Sequence, residues 1–275
     1  MEPNWLDLQS RGFLVIHNFL TEAERELLLR DYESPRAVAG NSNYDLKLVG
    51  PEVCARFEPR LQSVTAAVHS ATGIEADLTT AGLYFAIERG VNFAWHQDHE
   101  SYFLFQEHYH YLNFYIPIIK PDPQRTNLCV VPFDSLRASV PEFYERLVGG
   151  GATRFAPDGG RMAVTEDESA MNYVLPVDFE RLAVAPELVP GDLLLLRGDM
   201  IHRTQDTSTE RVAVSFRRQS AKAIVRRDRF LGGGPAKRTI MWKNIRTYSR
   251  ALQYFSQRKT NELTVGELNA FINNA

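Results

Sequence analysis

Short apolar and alternating runs dominate the middle of the chain, and helical periodicity marks its two ends. Residues 12–20 read as a short strand. Thr21 then offers an N-cap hydroxyl, with Glu24 three residues on to complete a capping box, so a helix is predicted from Glu22 through Tyr32. Residues 34–51 are rich in Ser, Pro, Gly and Asn and read as loop. A second helix is predicted over 53–72, with Pro59 as a break or late start and Gly73 as its end. His69 within it reads as a surface or packing residue.

From residue 83 the apolar period shortens toward two. Residues 83–88 read as a strand, Arg89-Gly90 as a turn and 91–96 as a second strand. Residues 109–119 alternate Tyr109, Tyr111, Asn113 and Tyr115 with His110, Leu112, Phe114 and Ile116, which predicts a strand half buried on each face. A turn at Pro121-Asp122-Pro123 leads to a strand at 128–131. Residues 134–180 break the pattern. A helix over 141–148, the Gly run 149–151 and the acidic Glu166-Asp167-Glu168 fit an insertion that lids one mouth of a barrel. Strand patterns return at 182–188, 192–197 and 211–218. Beyond Ala221 the pattern is helical and basic, with a helix over 242–256 and a short terminal helix capped by Thr264 and Glu267. The succession predicts one mainly-β domain of 275 residues with flanking helices: a helical region at about 1–75, a barrel core at about 78–218 with its insertion, and a basic helical region at about 219–275.

Composition narrows the class. A hydrophobic share of 44% and a charged share of 24% are those of an ordinary globular chain. The longest apolar runs are about six residues, well short of the roughly 20 that span a bilayer, and the first ten residues carry no apolar signal-peptide core. Two cysteines, Cys54 and Cys129, are too few for a disulfide framework, so a reduced, cytoplasmic location is expected. The net charge of −3 conceals an asymmetry, because residues 211–275 hold 14 Lys and Arg against 3 Asp and Glu. Such a region suits docking on an acidic body, or an anionic substrate. It is interrupted by Gly232-Gly233-Gly234-Pro235 and holds no nucleic-acid motif, which argues against nucleic acid.

Candidate chemistry centres on Trp95-His96-Gln97-Asp98-His99. On extended backbone residues i and i+2 point the same way, so His96 and Asp98 can reach one ion. Alone, that pair is a common accident of polar loops. A second segment changes this: Pro190-Gly191-Asp192 opens an apolar strand, His202 closes it, and Arg211 opens the next. His96, Asp98 and His202 would give two imidazoles and one carboxylate on one face of a metal, the set associated with non-haem Fe(II). Arg211 suits a bidentate pair with the carboxylate of a dicarboxylic co-substrate. Thr204 and Ser215 could add hydroxyl donors, although ordinary strand hydroxyls are as common.

These stretches together resemble the Fe(II)/2-oxoglutarate-dependent oxygenase superfamily, and within it the phytanoyl-CoA dioxygenase-like branch. Residues 12–24 resemble that branch's opening strand and helix, 95–98 its first metal motif, and Asn127-Leu128-Cys129-Val130-Val131-Pro132 the strand before its Pro-Gly-Ser-His segment. Residues 190–202 with Arg211 resemble its second-histidine strand and co-substrate arginine. The likeness covers about residues 10–218. It departs at Phe133-Asp134-Ser135-Leu136, where the branch often has Gly-Ser-His, and in the short interval between His202 and Arg211, which makes Arg217 an alternative clamp. Residues 219–275 match nothing in it.

The resemblance implies a double-stranded β-helix, a cupin-like jelly-roll, with Fe(II) at one mouth and 2-oxoglutarate and O2 as co-substrates. It implies oxidative decarboxylation of the keto acid to succinate and CO2, coupled to hydroxylation of a substrate C–H bond. A carboxylate at Asp98 argues against halogenation, because related halogenases have a small residue there. Tyr84, Asn113 and Tyr115, on strands expected to line the barrel, could hydrogen-bond the keto acid. Trp95, Tyr102, His110 and Arg217 are the candidates for contact with the substrate, a small molecule for which the basic region suggests negative charge. Core packing is the plainer account of the aromatic members. Two other readings stay open: a cupin-like metal-binding module without oxygenase activity, and an oxygenase acting on a protein or nucleic acid. Substrate identity and oligomeric state are not legible in the sequence.

Overall fold

A computed structural model describes residues 3–35, 47–98, 108–149, 152–167, 173–232, 234, 238, 241–242 and 245–273. After a single helical turn, α1 (Asp7–Ser10), the chain forms β1 (Phe13–Ile16) and α2 (Glu22–Glu33). The Thr21 capping box forms as predicted: the Glu24 amide donates to Thr21 Oγ1, and the Thr21 amide donates to the Glu24 carboxylate at 2.8 Å. The short strand β2 (Lys47–Leu48) lies within the segment read as loop, of which 36–46 fall outside the described residues. Helix α3 (Pro51–Thr72) runs unbroken through Pro59 and ends on Gly73 at φ 75°. Proline there removes one amide donor, at a cost of about 3 kcal/mol; Phe57, Leu61 and Val68, all buried on one side of the helix, offset it.

The central strands are β3 (Leu78–Ala86), β4 (Tyr111–Ile119), β5 (Leu128–Val130), β9 (Leu193–Arg197), β10 (His202–Thr204) and β11 (Val212–Gln219). Between β5 and β9 lie α4 (Phe133–Ser139), α5 (Pro141–Leu147), the antiparallel strands β6 (Ala152–Asp158), β7 (Arg161–Asp167) and β8 (Tyr173–Leu175), and the short helix α6 (Phe179–Leu182). One large antiparallel sheet has the order β1-β9-β4-β11-β3-β2. A second layer is assembled from two pieces, β6-β7-β8 and β10-β5. His96 joins them, bridging Arg154 of β6 on one side and His202 of β10 on the other.

Strand parity decides which side chains meet. The run Leu193 to Leu196 splits, with Leu193 and Leu195 packing under α2 and α3 while Leu194 and Leu196 enter the space between the sheets. Val212, Val214 and Phe216 of β11 face the helices, and Ala213 faces the inter-sheet core. Every residue of β4 from Tyr111 to Ile118 is buried, because helices cover one face of its sheet and the second layer covers the other. Gly12, at φ 80°, keeps the first turn against Phe133 and Met200; a Cβ there would lie 2.4 Å from Met200 Cε.

Beyond β11 a third apolar cluster holds β12 (Ile224–Arg226), α7 (Arg227–Leu231), α8 (Ile245–Arg258), β13 (Glu262–Thr264) and α9 (Val265–Asn273) together, and seats Tyr111 of β4 within it. The Thr264–Glu267 cap of the terminal helix forms as predicted. Among the described residues no helix is long and apolar enough to cross a membrane.

Two predicted strands are absent. Residues 91–96 join no ladder until His96, because the segment spans the gap between the two pieces of the second layer rather than lying beside a continuous partner strand. Residues 182–188 hold the end of α6 and an irregular stretch tied to β5 only through Val184 and Val130. Their apolar residues pack against the inter-sheet core without a neighbouring strand to pair with.

Candidate metal centre

His96 and His202 face each other across an antiparallel pair, with the His96 amide donating to the His202 carbonyl at 3.0 Å and the reverse bond at 2.9 Å. Directly opposed residues point their side chains to the same face, and the two imidazole centroids are 4.2 Å apart. Each ring is oriented by a local carbonyl: His96 Nδ1 lies 2.7 Å from the Ala94 oxygen and His202 Nδ1 2.9 Å from the Met200 oxygen. A carbonyl can only accept, so both Nδ1 atoms carry a proton, and in a neutral ring that makes Nε2 the nitrogen able to ligate a metal. That is how metal-ligating histidines are commonly prepared. Asp98, two residues beyond His96, brings Oδ1 to 4.0 Å from His202 Nε2. One ligand atom from each of His96, Asp98 and His202 falls within 4.8 Å of the others, a group that could hold a metal ion.

The intervening residue Gln97 points the other way, and its amide donates to the carbonyls of Leu147 and Asp199. Those bonds hold the bridging segment against α5 and the β9–β10 turn. The same turn is fastened by Arg197, whose Nε and Nη2 donate to the two oxygens of fully buried Asp199 at 3.1 and 2.6 Å. Asp98 is steadied from the large sheet. Asn113 Nδ2 donates to its Oδ2 at 3.1 Å, Ser215 Oγ donates to Asn113 Oδ1 at 2.7 Å, and Arg217 Nη2 lies 3.7 Å from Oδ1.

Further along the same face of β11 sits Arg211, 1% exposed. Its Nη1 donates to the Thr126 carbonyl at 3.2 Å and its guanidinium stands 5.8 Å from the Tyr115 ring centre. No carboxylate pairs with it among the described residues. Its Nε and the Tyr115 hydroxyl are both buried without a hydrogen-bond partner among the described residues. Burial raises the Tyr115 phenol above its usual range, so it stays a donor, while the Arg211 charge opposes that shift. Burial, reinforced by the Arg211 charge, lowers the nearby Lys120 ammonium to about 8. A buried cation without a counter-ion is costly. An orphaned guanidinium N–H and an orphaned hydroxyl, side by side, are matched by a carboxylate.

The other candidates fall into place by parity. Thr204 lies on the same side of β10 as His202, and its Oγ1 accepts the Phe93 amide at 3.1 Å, leaving its proton to donate. Asn113 meets Asp98, and Ser215 meets Asn113, so both serve the metal group rather than Arg211. Tyr84, read as a contact of the keto acid, pairs with Val214 and therefore points to the helices; its hydroxyl is held by Asp31 at 2.8 Å and the Leu28 carbonyl. Trp95, read as a substrate contact, alternates away from His96 into the second layer, where Nε1 donates to Glu180 and the ring packs on Phe179. His110, also read as a substrate contact, accepts the Glu75 amide on Nδ1 and so fastens the turn after α3. Tyr102, with His99, Phe103 and Phe105, lies outside the described residues. Sequence reading overlooked Lys120 and the Arg197–Asp199 pair. Gln219, one residue past the predicted end of its strand, was overlooked too, although counting by twos from Arg211 would have reached it.

No protein-family model matches the chain, and no curated protein matches it by sequence. Solved structures do match. The chain aligns with the non-heme alpha ketoglutarate dependent epimerase SnoN from nogalamycin biosynthesis over 80% of its own length and 82% of that chain, at 14% identity and a TM-score of 0.53. With the carbocyclase SnoK from the same biosynthesis the corresponding values are 79%, 83%, 14% and 0.54. With EctD from S. alaskensis they are 84%, 80%, 15% and 0.53. The chain has the fold of these enzymes. At such identities the likeness concerns the jelly-roll and its flanking helices. The two structures of SnoN and EctD that carry ligands hold, respectively, Fe3+ with alpha ketoglutarate and nogalamycin RO, and 2-oxoglutarate with 5-hydroxyectoine.

Proposed function

We propose that this protein is an Fe(II)- and 2-oxoglutarate-dependent dioxygenase that hydroxylates an unactivated C–H bond of a small molecule. The balanced reaction joins substrate, 2-oxoglutarate and O2 to give hydroxylated substrate, succinate and CO2. The observation that carries the proposal is the pairing of two sites in the space between the layers: a His96–Asp98–His202 group whose ligand atoms lie within 4.8 Å of one another, and a buried Arg211 with no carboxylate partner among the described residues, near the Tyr115 hydroxyl, which is likewise unpartnered among them. A metal-binding module with no keto acid would have no use for the second site. Solved proteins of the same fold hold iron and 2-oxoglutarate, which supports the reading.

The iron, when bound, would activate O2 and accept the keto acid through positions left open by the three side chains. The chain's own contributions are positional. The Ala94 and Met200 carbonyls keep both imidazoles in the tautomer that ligates, and Asn113, itself held by Ser215, orients Asp98. Arg211 would clamp the far carboxylate of 2-oxoglutarate with Tyr115 donating a second hydrogen bond, and Thr204, on the facing layer, has a hydroxyl proton to spare. Asp98 supplies a carboxylate where halogenation would need a vacancy, which favours hydroxylation. The motifs at 12–24, 95–98, 127–132 and 190–211 support a place in the phytanoyl-CoA dioxygenase-like branch, the basic residues beyond 211 favour an anionic substrate, and the scarcity of cysteine favours a cytoplasmic protein.

Purified protein given Fe(II), 2-oxoglutarate and O2 should form succinate, and omission of any one should stop it. Full succinate formation by His96→Ala or Asp98→Ala protein would refute the assignment.

A further inference from the structure

The large sheet carries a row of inward side chains that doubles as a ruler. On β11 the row is Arg211, Ala213, Ser215, Arg217 and Gln219, and opposite it on β4 stand Tyr115, Asn113 and Tyr111, paired with Ser215, Arg217 and Gln219. Successive positions on one face are about 6.6 Å apart. Arg211 and Tyr115 mark one end, the carboxylate clamp. Asp98, reached through Asn113, Ser215 and Arg217, marks the middle. Gln219 marks the other end, where Tyr111 and the third apolar cluster close the barrel.

Gln219 is fully buried, and among the described residues neither its Nε2 nor its Oε1 has a hydrogen-bond partner. A primary amide offers two donors and an acceptor. Leaving both ends unmet in an apolar surround is destabilising, and natural folds rarely tolerate it without a ligand or water. The residue on the far side of the same strand, Arg218, is by contrast fully engaged with Glu58, Thr79 and the carbonyls of Ala76 and Asp77. Among the described residues, the unpartnered polar atoms of Arg211 and Gln219 thus both lie on the inward face of this strand, Arg211 at the clamp end and Gln219 at the end away from it. Gln219 stands one inward position, about 6.6 Å, beyond Arg217, whose Nη2 lies 3.7 Å from Asp98 Oδ1, on the side away from Arg211.

Resting on the oxygenase reading above, we propose that Gln219 anchors the substrate, and that the substrate carries an uncharged group that both donates and accepts hydrogen bonds, a hydroxyl or a carboxamide. One end of the inward row then selects the co-substrate by charge, and the other selects the substrate by neutral hydrogen-bond complementarity. Such selection rejects analogues lacking the polar group strongly, because the amide would again be left unmet.

Two measurements test this. In ligand-free protein Gln219→Leu should melt about 3 °C higher than wild type, since the orphaned amide is replaced by an apolar side chain of similar size. The nearly isosteric Gln219→Met should do likewise. A fall of several degrees in both would show a structural amide and overturn the proposal. Crystals of the nickel- and 2-oxoglutarate-loaded protein, soaked with glycerol as the hydroxyl probe or acetamide as the carboxamide probe, should show one of them hydrogen-bonded to the Gln219 amide. Nickel and 2-oxoglutarate in place with neither probe at Gln219 would overturn the proposal. A probe seated there in protein that binds no 2-oxoglutarate would refute the oxygenase reading and leave the pocket standing.

Discussion

Replacing Arg211 with methionine separates function from stability, because the two should move in different directions. The guanidinium is 1% exposed, donates to one neutral carbonyl at 3.2 Å and has no carboxylate partner among the described residues. In ligand-free protein its charge is thus an uncompensated cost, and an apolar side chain of similar length should leave stability unchanged or raised. For 2-oxoglutarate the effect reverses. Losing one partner of a buried, hydrogen-bonded charge pair costs about 2–5 kcal/mol. At 1.4 kcal/mol per tenfold, a value near 3 kcal/mol weakens binding by about 100-fold. Tyr115→Phe removes one hydrogen bond, about 1 kcal/mol, or about fivefold. Calorimetric titration of nickel-loaded protein with 2-oxoglutarate reads the affinities, and thermal melting without ligand reads stability. An affinity loss below about threefold for Arg211→Met, or a melting temperature lowered by more than about 5 °C, would refute the reasoning and make Arg211 a structural residue.

Asn113→Ala should weaken nickel binding about 10- to 100-fold, as removal of a group that orients a metal ligand does; Ser215→Ala, one step further out, should do less in the same titration. Asp199→Ala strands Arg197 beneath Phe133 and Tyr109, and breaking such a buried pair costs about 3–5 kcal/mol, or a melting temperature about 10 °C lower in a thermal scan. Lys120 carries a pH signature. Its folded value of about 8 lies below the usual 10.5, so between those values the unfolded chain holds the extra proton and stability rises with pH. Denaturant titrations from pH 8 to about 10 should show that rise in wild type and a flatter profile in Lys120→Met.

Local signals were legible where the chain itself supplies both partners. The Thr21–Glu24 and Thr264–Glu267 caps and the Gly73 stop each depend on residues within a few positions, and each formed. The convergence of His96, Asp98 and His202 was also legible, since period-two geometry aligns the first two and an apolar strand delivers the third. Facing was harder to read. Tyr84 and Tyr115 look alike in sequence, yet pairing of β3 and β4 with opposite-facing residues of β11 sends Tyr84 to the helices and Tyr115 to the clamp. Residues 91–96 have a strand's composition, but a ladder needs a neighbour, and the sequence does not reveal that this segment spans the gap between two half-layers. Gln219 escaped notice because its chemistry lies in what it lacks, and a missing partner is visible only once the surroundings are assembled.

The most direct measurement is succinate formation by protein loaded with Fe(II), run with and without 2-oxoglutarate and O2, beside Asp98→Ala. Succinate that requires all three components, and whose formation is lost in the variant, is the predicted result. Tight metal binding with no 2-oxoglutarate affinity and no succinate would contradict the central claim and leave the chain a metal-binding jelly-roll.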